Sequence, residues 1–305
     1  MNKLKIIDYT IIEENIRKIL SSNDVCLVVK NNAYGFGIEN IMKIINSLNI
    51  KQLAVNTVEE AIKCRELDYN GKIIIFGYNV KKINLIKKYN ILPTVGSKYE
   101  MDIYRKNKIK YVVEIDTGMN RFGFKAFDYT MLADEYVDSV MAHFYKKTSD
   151  NKNLMSIIDS ECNKYNKPVS YGGSIVYGQT DKCLRVGGMA YRGATRFYGR
   201  VISIKNVLKN ETIGYEGKYK ARFDCKIAIL DVGYVNGIRR GFSGYVALNG
   251  KRYKTVGLIC MNHTFVLVDN NVSENDLMEF FGEEISLNDF LRGNYMSEYE
   301  SFFIN

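Results

Sequence analysis

Short apolar strand-like runs alternate with amphipathic helical patterns over the first two thirds of the chain, and this alternation constrains the fold most strongly. The runs predicted as strands are Cys26–Lys30, Gln52–Thr57, Lys72–Tyr78, Ile91–Val95, Ile109–Asp116, Ser139–Tyr145 and Val169–Ser174. Helical patterns between them include Val58–Leu67, Val80–Tyr89 and Asn153–Tyr165. Because strands separated by helices pair in parallel, seven or eight such units predict a closed (β/α)8 barrel of the TIM type, with functional side chains at the C-terminal ends of its strands.

From about Tyr198 the apolar period changes to two, which predicts a second, mostly β domain. The strand-like runs there are Val201–Val207, Lys218–Leu230, Tyr245–Leu248 and Arg252–Val268. The segment Leu248–Lys251 contains Asn-Gly and has the form of a two-residue hairpin turn. We therefore expect a barrel domain over residues 1–199 and a C-terminal β domain over residues 200–305, with residues 1–8 as candidates to pack with the second.

Composition and charge narrow the class of protein. The net charge is +9, but lysine and arginine are spread as pairs among many acids, whereas a nucleic-acid binder concentrates them on one face; no nucleic-acid partner is expected. The chain has neither an apolar run of membrane-spanning length nor an apolar signal-peptide core, which predicts a cytoplasmic protein without a membrane partner. Six scattered cysteines and two histidines predict reduced thiols and no metal site.

Lys30 is the residue whose sequence context most clearly indicates a reactive side chain. It follows the apolar run Val25–Val29 and precedes Asn31–Gly37, whose glycines indicate a turn leading into a helix. Desolvation at the tip of a barrel strand would lower the pKa of the amine and make it nucleophilic towards an aldehyde, as a Schiff-base lysine beside a phosphate requires. For Lys30 taken alone, a surface lysine capping a strand is the alternative, and other motifs decide between the two.

Five blocks of sequence, in order along the chain, resemble those of the alanine racemase family of pyridoxal-phosphate (PLP) enzymes. The blocks are Val28–Gly37, Asp116–Phe124, Arg185–Gly187, Gly233–Gly237 and Val256–Met261. The resemblance extends from about Ile7 to about Phe303. It implies PLP as cofactor, a homodimer with shared active sites, and an isomerase that interconverts L- and D-amino acids, with alanine as the first substrate to test. A non-alanine or broad-specificity racemase, or a PLP-binding paralogue of low activity, stays open as an alternative.

The resemblance also implies how the cofactor would be held. The cofactor-binding residues implied are Lys30, Tyr34, His143, Ser174, Arg185, Gly187 and Gly188. Lys30 would bind PLP covalently, and Tyr34 would hydrogen-bond its phosphate. Arg185 would donate a hydrogen bond to the pyridine nitrogen; because guanidinium keeps its proton, that nitrogen would stay unprotonated. Decarboxylases on similar barrels usually place a carboxylate there, so Arg185 favours racemisation over decarboxylation, while an aldolase stays open as a rival.

Two opposed bases are implied as well. Inversion at one carbon requires a base on each face of a planar intermediate, and the resemblance assigns Lys30 and Tyr234 of the partner subunit to these roles. A tyrosine titrates near 10 and needs help to act as a base, which His143 would give as its hydrogen-bond partner. Arg121 would contact the substrate carboxylate and the phenolic oxygen of PLP, and the backbone N–H of the partner's Met261 would also donate to that carboxylate.

Several positions depart from the family pattern. Glu114 stands where many members carry a carbamylated lysine that supports the arginine matching Arg121, and we expect Glu114 to supply that negative charge directly. Ser170 stands in place of a histidine, Asn236 and Asn262 in place of aspartates, and Leu258 in place of an arginine. The chain also stops at Asn305, before a second phosphate-binding tyrosine of the family, which predicts weaker retention of PLP.

Overall fold

The computed structural model describes residues 4–304, which form two compact units. One unit comprises residues 9–192, and the other comprises residues 4–8 together with residues 193–304. The boundary falls at Gly193, a few residues before the position expected from the change of period, because the long strand that begins at Thr195 already belongs to the second unit. The first strand, β1 (Lys5–Ile7), pairs with that same strand.

Eight parallel strands close into a barrel in the unit formed by residues 9–192. They are β2 (Val25–Val28), β3 (Gln52–Val55), β4 (Lys72–Ile75), β5 (Leu92–Val95), β6 (Tyr111–Ile115), β7 (Val137–His143), β8 (Val169–Gly172) and β9 (Cys183–Val186). Each pairs with the next, and β2 pairs with β9 to complete the circle. The predicted barrel is confirmed. Strand β9 was not predicted, because its four residues include Cys183 and Arg185 and form no continuous apolar run.

Helices separate most of the strands of this unit, as the alternation predicts, and one helix precedes β2. They are Tyr9–Leu20, Ile38–Ser47, Val58–Glu66, Ile83–Lys88, Lys98–Lys106, Asn151–Lys164 and the short Gly188–Tyr191, with 3-10 turns at Val80–Lys82, Tyr129–Ala133 and Ser174–Val176. Helix Ile38–Ser47 shows why they form: Ile41 and Ile45, one turn apart, are both fully buried. The pattern predicted as one helix over Val80–Tyr89 is a 3-10 turn followed by a helix.

Apolar side chains fill the interior of the barrel as one contiguous cluster, which we call the apolar layer. The buried members of this layer are Cys26, Val28, Ala54, Ile74, Val112 and Met141, which come from five different strands. Side chains alternate between the two faces of a strand, so the residue two positions further along also faces the interior. The next layer therefore lies towards the C-terminal ends of the strands.

The second unit is a mostly β structure, as predicted. Its further strands are β10 (Thr195–Val207), β11 (Thr212–Ile213), β12 (Tyr219–Lys220), β13 (Cys225–Leu230), β14 (Tyr245–Leu248), β15 (Lys251–Val256), β16 (Thr264–Val268) and β17 (Leu277–Phe281). Seven of the strands form an antiparallel sheet in the order β1-β10-β13-β16-β15-β14-β17, and β17 also pairs with β10. Helices Leu287–Asn294 and Glu298–Ser301 follow, and 3-10 turns lie at Tyr215–Gly217 and Tyr234–Asn236.

The Asn-Gly hairpin is confirmed in this unit. Leu248 pairs with Lys251 across the turn, and Asn249 and Gly250 both have positive φ, at 52° and 79°. Other details differ from expectation. The runs predicted over Lys218–Leu230 and Arg252–Val268 are each divided, into β12 and β13 and into β15 and β16, and neither β11 nor β17 was predicted.

None of the helices in residues 4–304 combines the length and apolar character needed to cross a membrane. Within the same residues, no group of three or more His, Cys, Asp and Glu side chains converges so as to hold a metal ion.

Arg65 anchors two loops that precede strands of the barrel. Its guanidinium donates to four backbone carbonyl oxygens: Nε to Tyr89 at 3.0 Å, Nη1 to Tyr69 at 2.6 Å and to Gly71 at 2.8 Å, and Nη2 to Asn90 at 2.9 Å. These carbonyls belong to the segments before β4 and β5, so one side chain satisfies acceptors that would otherwise lack partners.

Replacing Arg65 by alanine should therefore lower the free energy of unfolding by about 3 kcal/mol, since it removes several charge-assisted hydrogen bonds at once. Urea unfolding followed by circular dichroism measures the change. Lys63→Ala is the matched control on the same helix, because Lys63 makes only an exposed ion pair with Glu39. Equal unfolding midpoints for the two variants would show that Arg65 has no such structural role.

Candidate active site

Four polar side chains form the layer above the apolar interior of the barrel. Lys30, Glu114, His143 and Arg185 stand two positions after Val28, Val112, Met141 and Cys183, which pack in or against the apolar layer. Because the four strands β2, β6, β7 and β9 all end at the same rim, the closed barrel brings these side chains together. The structure thus joins four residues that are widely separated along the chain.

Arg185 lies inside the barrel with only 8% of its surface exposed. Its Nη1 donates to the Ser170 carbonyl oxygen at 2.7 Å and to the Ser170 hydroxyl at 2.9 Å, and its Nη2 donates to the Ala142 carbonyl oxygen at 2.8 Å. A Cβ at Gly172 would lie 2.7 Å from Nη2, so the absence of a side chain there leaves room for the guanidinium. Three hydrogen bonds fix the plane of a group that has five N–H donors.

His143 ends β7 beside the same glycine. A Cβ at Gly172 would lie 2.8 Å from its Nδ1. Burial, followed by the positive charges of Arg185, Arg121 and Lys30, lowers the pKa of His143 to about 4. The imidazole is therefore neutral near pH 7 and presents one donor and one acceptor.

Glu114 is the one carboxylate of this layer, with 6% of its surface exposed. Burial raises the pKa of Glu114, while the guanidinium of Arg185 and then that of Arg121 act in the opposite direction. The carboxylate thus interacts electrostatically with two arginines, and Arg185 has the larger influence of the two. Sequence reasoning predicted the relation to Arg121 but not the one to Arg185.

Lys30 begins a turn that the sequence did not predict in this form. Strand β2 ends at Val28, and the four residues after Lys30 have positive φ between 53° and 55°, so the chain winds in the left-handed sense. The lysine Nζ lies 5.9 Å from the centre of the Tyr34 ring. Burial and the charge of Arg121 lower the pKa of Lys30, while the charge of Glu60 raises it. A half-buried amine of lowered pKa is a competent nucleophile.

The residues predicted to hold a phosphate lie on neighbouring segments of the rim. Tyr34 packs against Tyr191 with ring centres 5.2 Å apart. Its hydroxyl would be 2.4 Å from a Cβ at Gly187, so this glycine lets the tyrosine approach the backbone after β9. Gly188 begins the helix that follows, and the exposed Ser174 begins the 3-10 turn after β8.

Arg121 belongs to a loop after β6 that a single carboxylate organises. Asp116 Oδ1 accepts the N–H of Gly118 at 3.0 Å and that of Asn120 at 3.1 Å. The Thr117 hydroxyl donates to the carbonyl oxygen of His143 at 2.6 Å, which ties the loop to the end of β7. Arg121 is exposed.

Tyr234 and Met261 lie together on two turns of the second unit. Tyr234 donates its backbone N–H to the Cys260 carbonyl oxygen, and Val235 donates to that of Met261, both at 3.0 Å. The side chain of Asn236 accepts the N–H of Gly233 at 3.1 Å and closes the 3-10 turn. Tyr234 is 43% exposed and Met261 is 53% exposed, so both present large side chains to the surface of this unit.

Sequence reasoning missed Glu60. The pattern Thr57-x-x-Glu60 is the signature of a helix-capping box and predicts the cap that the structure contains. It does not predict that the same carboxylate also accepts the backbone N–H of Asn31, which follows Lys30. That contact depends on the pairing of β2 with β3 and is not visible in the local sequence.

Comparison with known proteins identifies the family. Residues 7–157 match the family model "Alanine racemase, N-terminal domain", and residues 194–303 match "Alanine racemase, C-terminal domain". The chain is 28% identical over 349 aligned positions to an alanine racemase of Borreliella burgdorferi (strain ZS7), and the match covers 98% of this chain and 94% of that one.

Solved structures agree in fold. A crystal structure of alanine racemase from E. faecalis has a TM-score of 0.87 at 21% identity and covers 99% of this chain and 95% of that chain. A crystal structure of alanine racemase from Bartonella henselae with covalently bound pyridoxal phosphate has a TM-score of 0.84 at 19% identity and covers 98% and 96%. A (β/α)8 barrel followed by an antiparallel β domain is thus the two-domain class to which these isomerases belong. The chain is a member of the alanine racemase family, as the sequence blocks predict.

The lowered pKa of His143 predicts a pH-dependent stability. Because the folded-state pKa is about 4 and the unfolded value is near 6.5, the unfolded state takes up a proton first as the pH falls. The free energy of unfolding therefore contains a contribution from the neutral His143 of about 2–3 kcal/mol, which is present above pH 6.5 and is lost as the pH falls from about 6.5 to 4. Urea unfolding of the wild type and of His143→Asn between pH 7 and 4 measures it. The difference between the two proteins should shrink over this range, and a constant difference would contradict the buried neutral imidazole.

Proposed function

We propose that this protein is a PLP-dependent amino-acid racemase that works as a homodimer, with Lys30 and Tyr234 of the partner subunit as its two bases. Alanine is the first substrate to test. Membership of the alanine racemase family supports the reaction class. The observation that carries the proposal is the layer formed by Lys30, Glu114, His143 and Arg185, because it combines a nucleophilic amine with a buried, hydrogen-bonded guanidinium.

The residues at the rim fit PLP. Gly172 and Gly187 lack side chains where Arg185, His143 and Tyr34 approach the backbone, so the cradle has space that any larger residue would fill. Lys30 can bind the aldehyde carbon covalently, and the phosphate can accept hydrogen bonds from Tyr34 and from backbone N–H groups after β9. The covalently bound pyridoxal phosphate of the Bartonella henselae enzyme supports the same assignment here.

Bound PLP supplies an electron sink that lowers the cost of removing the proton from the α-carbon of an amino acid. Arg185 sets how strong that sink is. Its guanidinium is anchored by the carbonyl oxygens of Ser170 and Ala142 and keeps its proton, so a ring nitrogen facing it can only accept a hydrogen bond. Arg185 would thereby keep that nitrogen unprotonated and weaken the electron sink, which favours return of the proton to the same carbon.

Two bases on opposite faces of the α-carbon give inversion. Lys30 acts on one face once its amine is free. Its lowered pKa increases the fraction of the amine that is neutral and can act as a base. Tyr234 of the partner subunit acts on the other face, and its position on an exposed turn of the second unit suits a residue that serves a neighbouring subunit. The neutral His143 can hydrogen-bond the phenol and so assist its deprotonation.

Arg121, Glu114 and the partner's Met261 complete the substrate site. The guanidinium of Arg121 pairs with the carboxylate of the amino acid, and the backbone N–H of Met261 of the partner subunit, an exposed residue, adds a second donor. Glu114 provides the negative charge that balances Arg121 and Arg185 within the barrel. Leu258 and Asn262, which lie in or next to the Met261 turn, lack the charges found in other members, and this favours broader substrate acceptance as the second candidate.

The test of the function is a panel of L-amino acids incubated with PLP and the protein in deuterated water. We expect D-product and deuterium at the α-carbon, with alanine among the substrates turned over. Borohydride reduction followed by peptide mass spectrometry should locate PLP on Lys30. Retention of configuration in every substrate, with PLP bound to Lys30, would exclude a racemase and leave a binding paralogue.

The substitution Tyr234→Phe tests whether racemisation uses two bases. Removing one base should abolish racemisation while one enantiomer still exchanges its α-proton through Lys30. Chiral chromatography and proton NMR of each enantiomer measure the two effects. Equal residual exchange of both enantiomers, or unchanged racemisation, would remove Tyr234 from its proposed role.

Glu114→Gln removes the only negative charge of the layer while keeping its shape. We expect kcat/KM to fall by roughly 10- to 100-fold, because the two guanidinium groups then repel each other without compensation. Steady-state kinetics at saturating PLP measure the change, and the exposed Glu135→Gln is the control. An enzyme indifferent to the substitution at Glu114 would refute the charge-balancing role.

A further inference from the structure

The turn after Lys30 is costly for the chain to adopt. Asn31, Asn32, Ala33 and Tyr34 have φ of 53°, 54°, 53° and 55°, which is the left-handed region. Asparagine tolerates this region, but alanine and tyrosine adopt it only at an energetic cost. Such a turn persists only where the surroundings hold it.

Hydrogen bonds from the turn itself account for part of this support. The N–H of Ala33 donates to the Val29 carbonyl oxygen at 2.9 Å, and the N–H of Gly35 donates to that of Asn31 at 3.0 Å. The Asn32 side chain accepts the N–H of Ile38 at 2.8 Å, which connects the turn to the next helix. None of these bonds uses the N–H of Asn31, the first amide after the lysine.

Glu60 accepts that amide from outside the turn. Its Oε1 receives the N–H of Asn31, and its Oε2 receives the N–H of Asn56 at 2.8 Å and that of Thr57 at 3.2 Å. One carboxylate therefore joins the segment that leaves β2 to the segment that leaves β3. The backbone N–H of Glu60 donates to the Thr57 hydroxyl at 3.1 Å, which completes the capping box at the start of this helix.

We propose that Glu60 is a positioning residue for Lys30: its carboxylate holds the left-handed turn that presents the lysine amine to the barrel mouth, and its charge acts on that amine. The inference rests on the proposed function, since it assumes that Lys30 binds PLP. Glu60 does not touch the cofactor site and acts only through the turn and through its charge.

Electrostatics support the second half of this role. The charged or titratable groups that act on the Lys30 amine are Arg121 and Glu60, and the amine in turn acts on His143, which is neutral near pH 7. Burial and Arg121 lower the pKa of Lys30, and Glu60 opposes them. Glu60 thus limits how far the pKa falls, and removing its charge should lower the pKa further.

The test compares Glu60→Gln with two matched controls on the same helix. Gln is nearly isosteric, but it lacks the charge and directs an amide donor towards one set of backbone N–H groups. Glu59→Gln removes the same charge from a neighbouring exposed residue that pairs with Lys82 instead. Thr57→Ala weakens the same helix cap but leaves the carboxylate bond to Asn31 in place, so it reports the purely structural effect.

Two readouts are independent of turnover. The first is the pH dependence of Lys30 acetylation in the PLP-free protein, measured by competitive labelling and peptide mass spectrometry. The second is the dissociation constant of PLP. In Glu60→Gln we expect the labelling midpoint of Lys30 to move to lower pH and PLP to bind roughly tenfold more weakly. Both controls should match the wild type in the midpoint.

The outcomes separate this inference from the proposed function. If the wild type forms no borohydride-stable adduct at Lys30, the proposed function fails. If the wild type forms the adduct and Glu60→Gln matches Thr57→Ala in both readouts, the positioning role fails. Should Glu60→Gln not fold, Glu60→Asp replaces it: the shorter carboxylate withdraws from Asn31 but keeps its charge, so PLP binding should weaken while the midpoint stays near that of the wild type. Unchanged PLP binding in Glu60→Asp would equally overturn the proposal.

Discussion

Closure of eight parallel strands is the constraint on which the rest of the barrel depends. Alternation along each strand sends every second side chain into an enclosed space, so the residues there must either pack as apolar groups or satisfy one another's charges. The lower layer is apolar, and the next contains Lys30, Glu114, His143 and Arg185. The chemistry of the proposed site is a consequence of placing ionisable groups where water is largely excluded.

Charge balance in that layer explains how such a site remains stable. Arg185 is buried against backbone carbonyls and the Ser170 hydroxyl. Its positive charge interacts electrostatically with the carboxylate of Glu114. The imidazole of His143 is neutral because burial and the positive charges of Arg185, Arg121 and Lys30 lower its pKa. Burial lowers the pKa of both groups, but the outcomes differ. The guanidinium stays charged because its ordinary pKa is far higher and hydrogen bonds replace water, whereas the imidazole becomes neutral.

The sequence predicted those parts of the fold that local pattern decides. Apolar runs predicted seven of the barrel strands, and Asn249-Gly250 predicted its hairpin because these residues tolerate positive φ. Strand β9 was missed because four residues with an arginine inside carry no recognisable pattern, although pairing with β2 and β8 is sufficient to form it. The left-handed turn at 31–34 was missed for a related reason: Ala33 and Tyr34 do not favour it, and contacts remote in sequence hold it.

By itself, the sequence determined the class of architecture and the family, and it supplied the residues proposed as chemically active, because periodicity and short motifs are local properties of the chain. Tertiary structure alone decided how those residues act on one another. Three examples depend on residues far apart in the chain. They are the electrostatic interaction of Glu114 with Arg185, the neutral state of His143 and the hydrogen bond from Asn31 to Glu60. Such interactions exist only once the barrel has closed, since distance and burial, not residue type, set the strength of a charge–charge interaction.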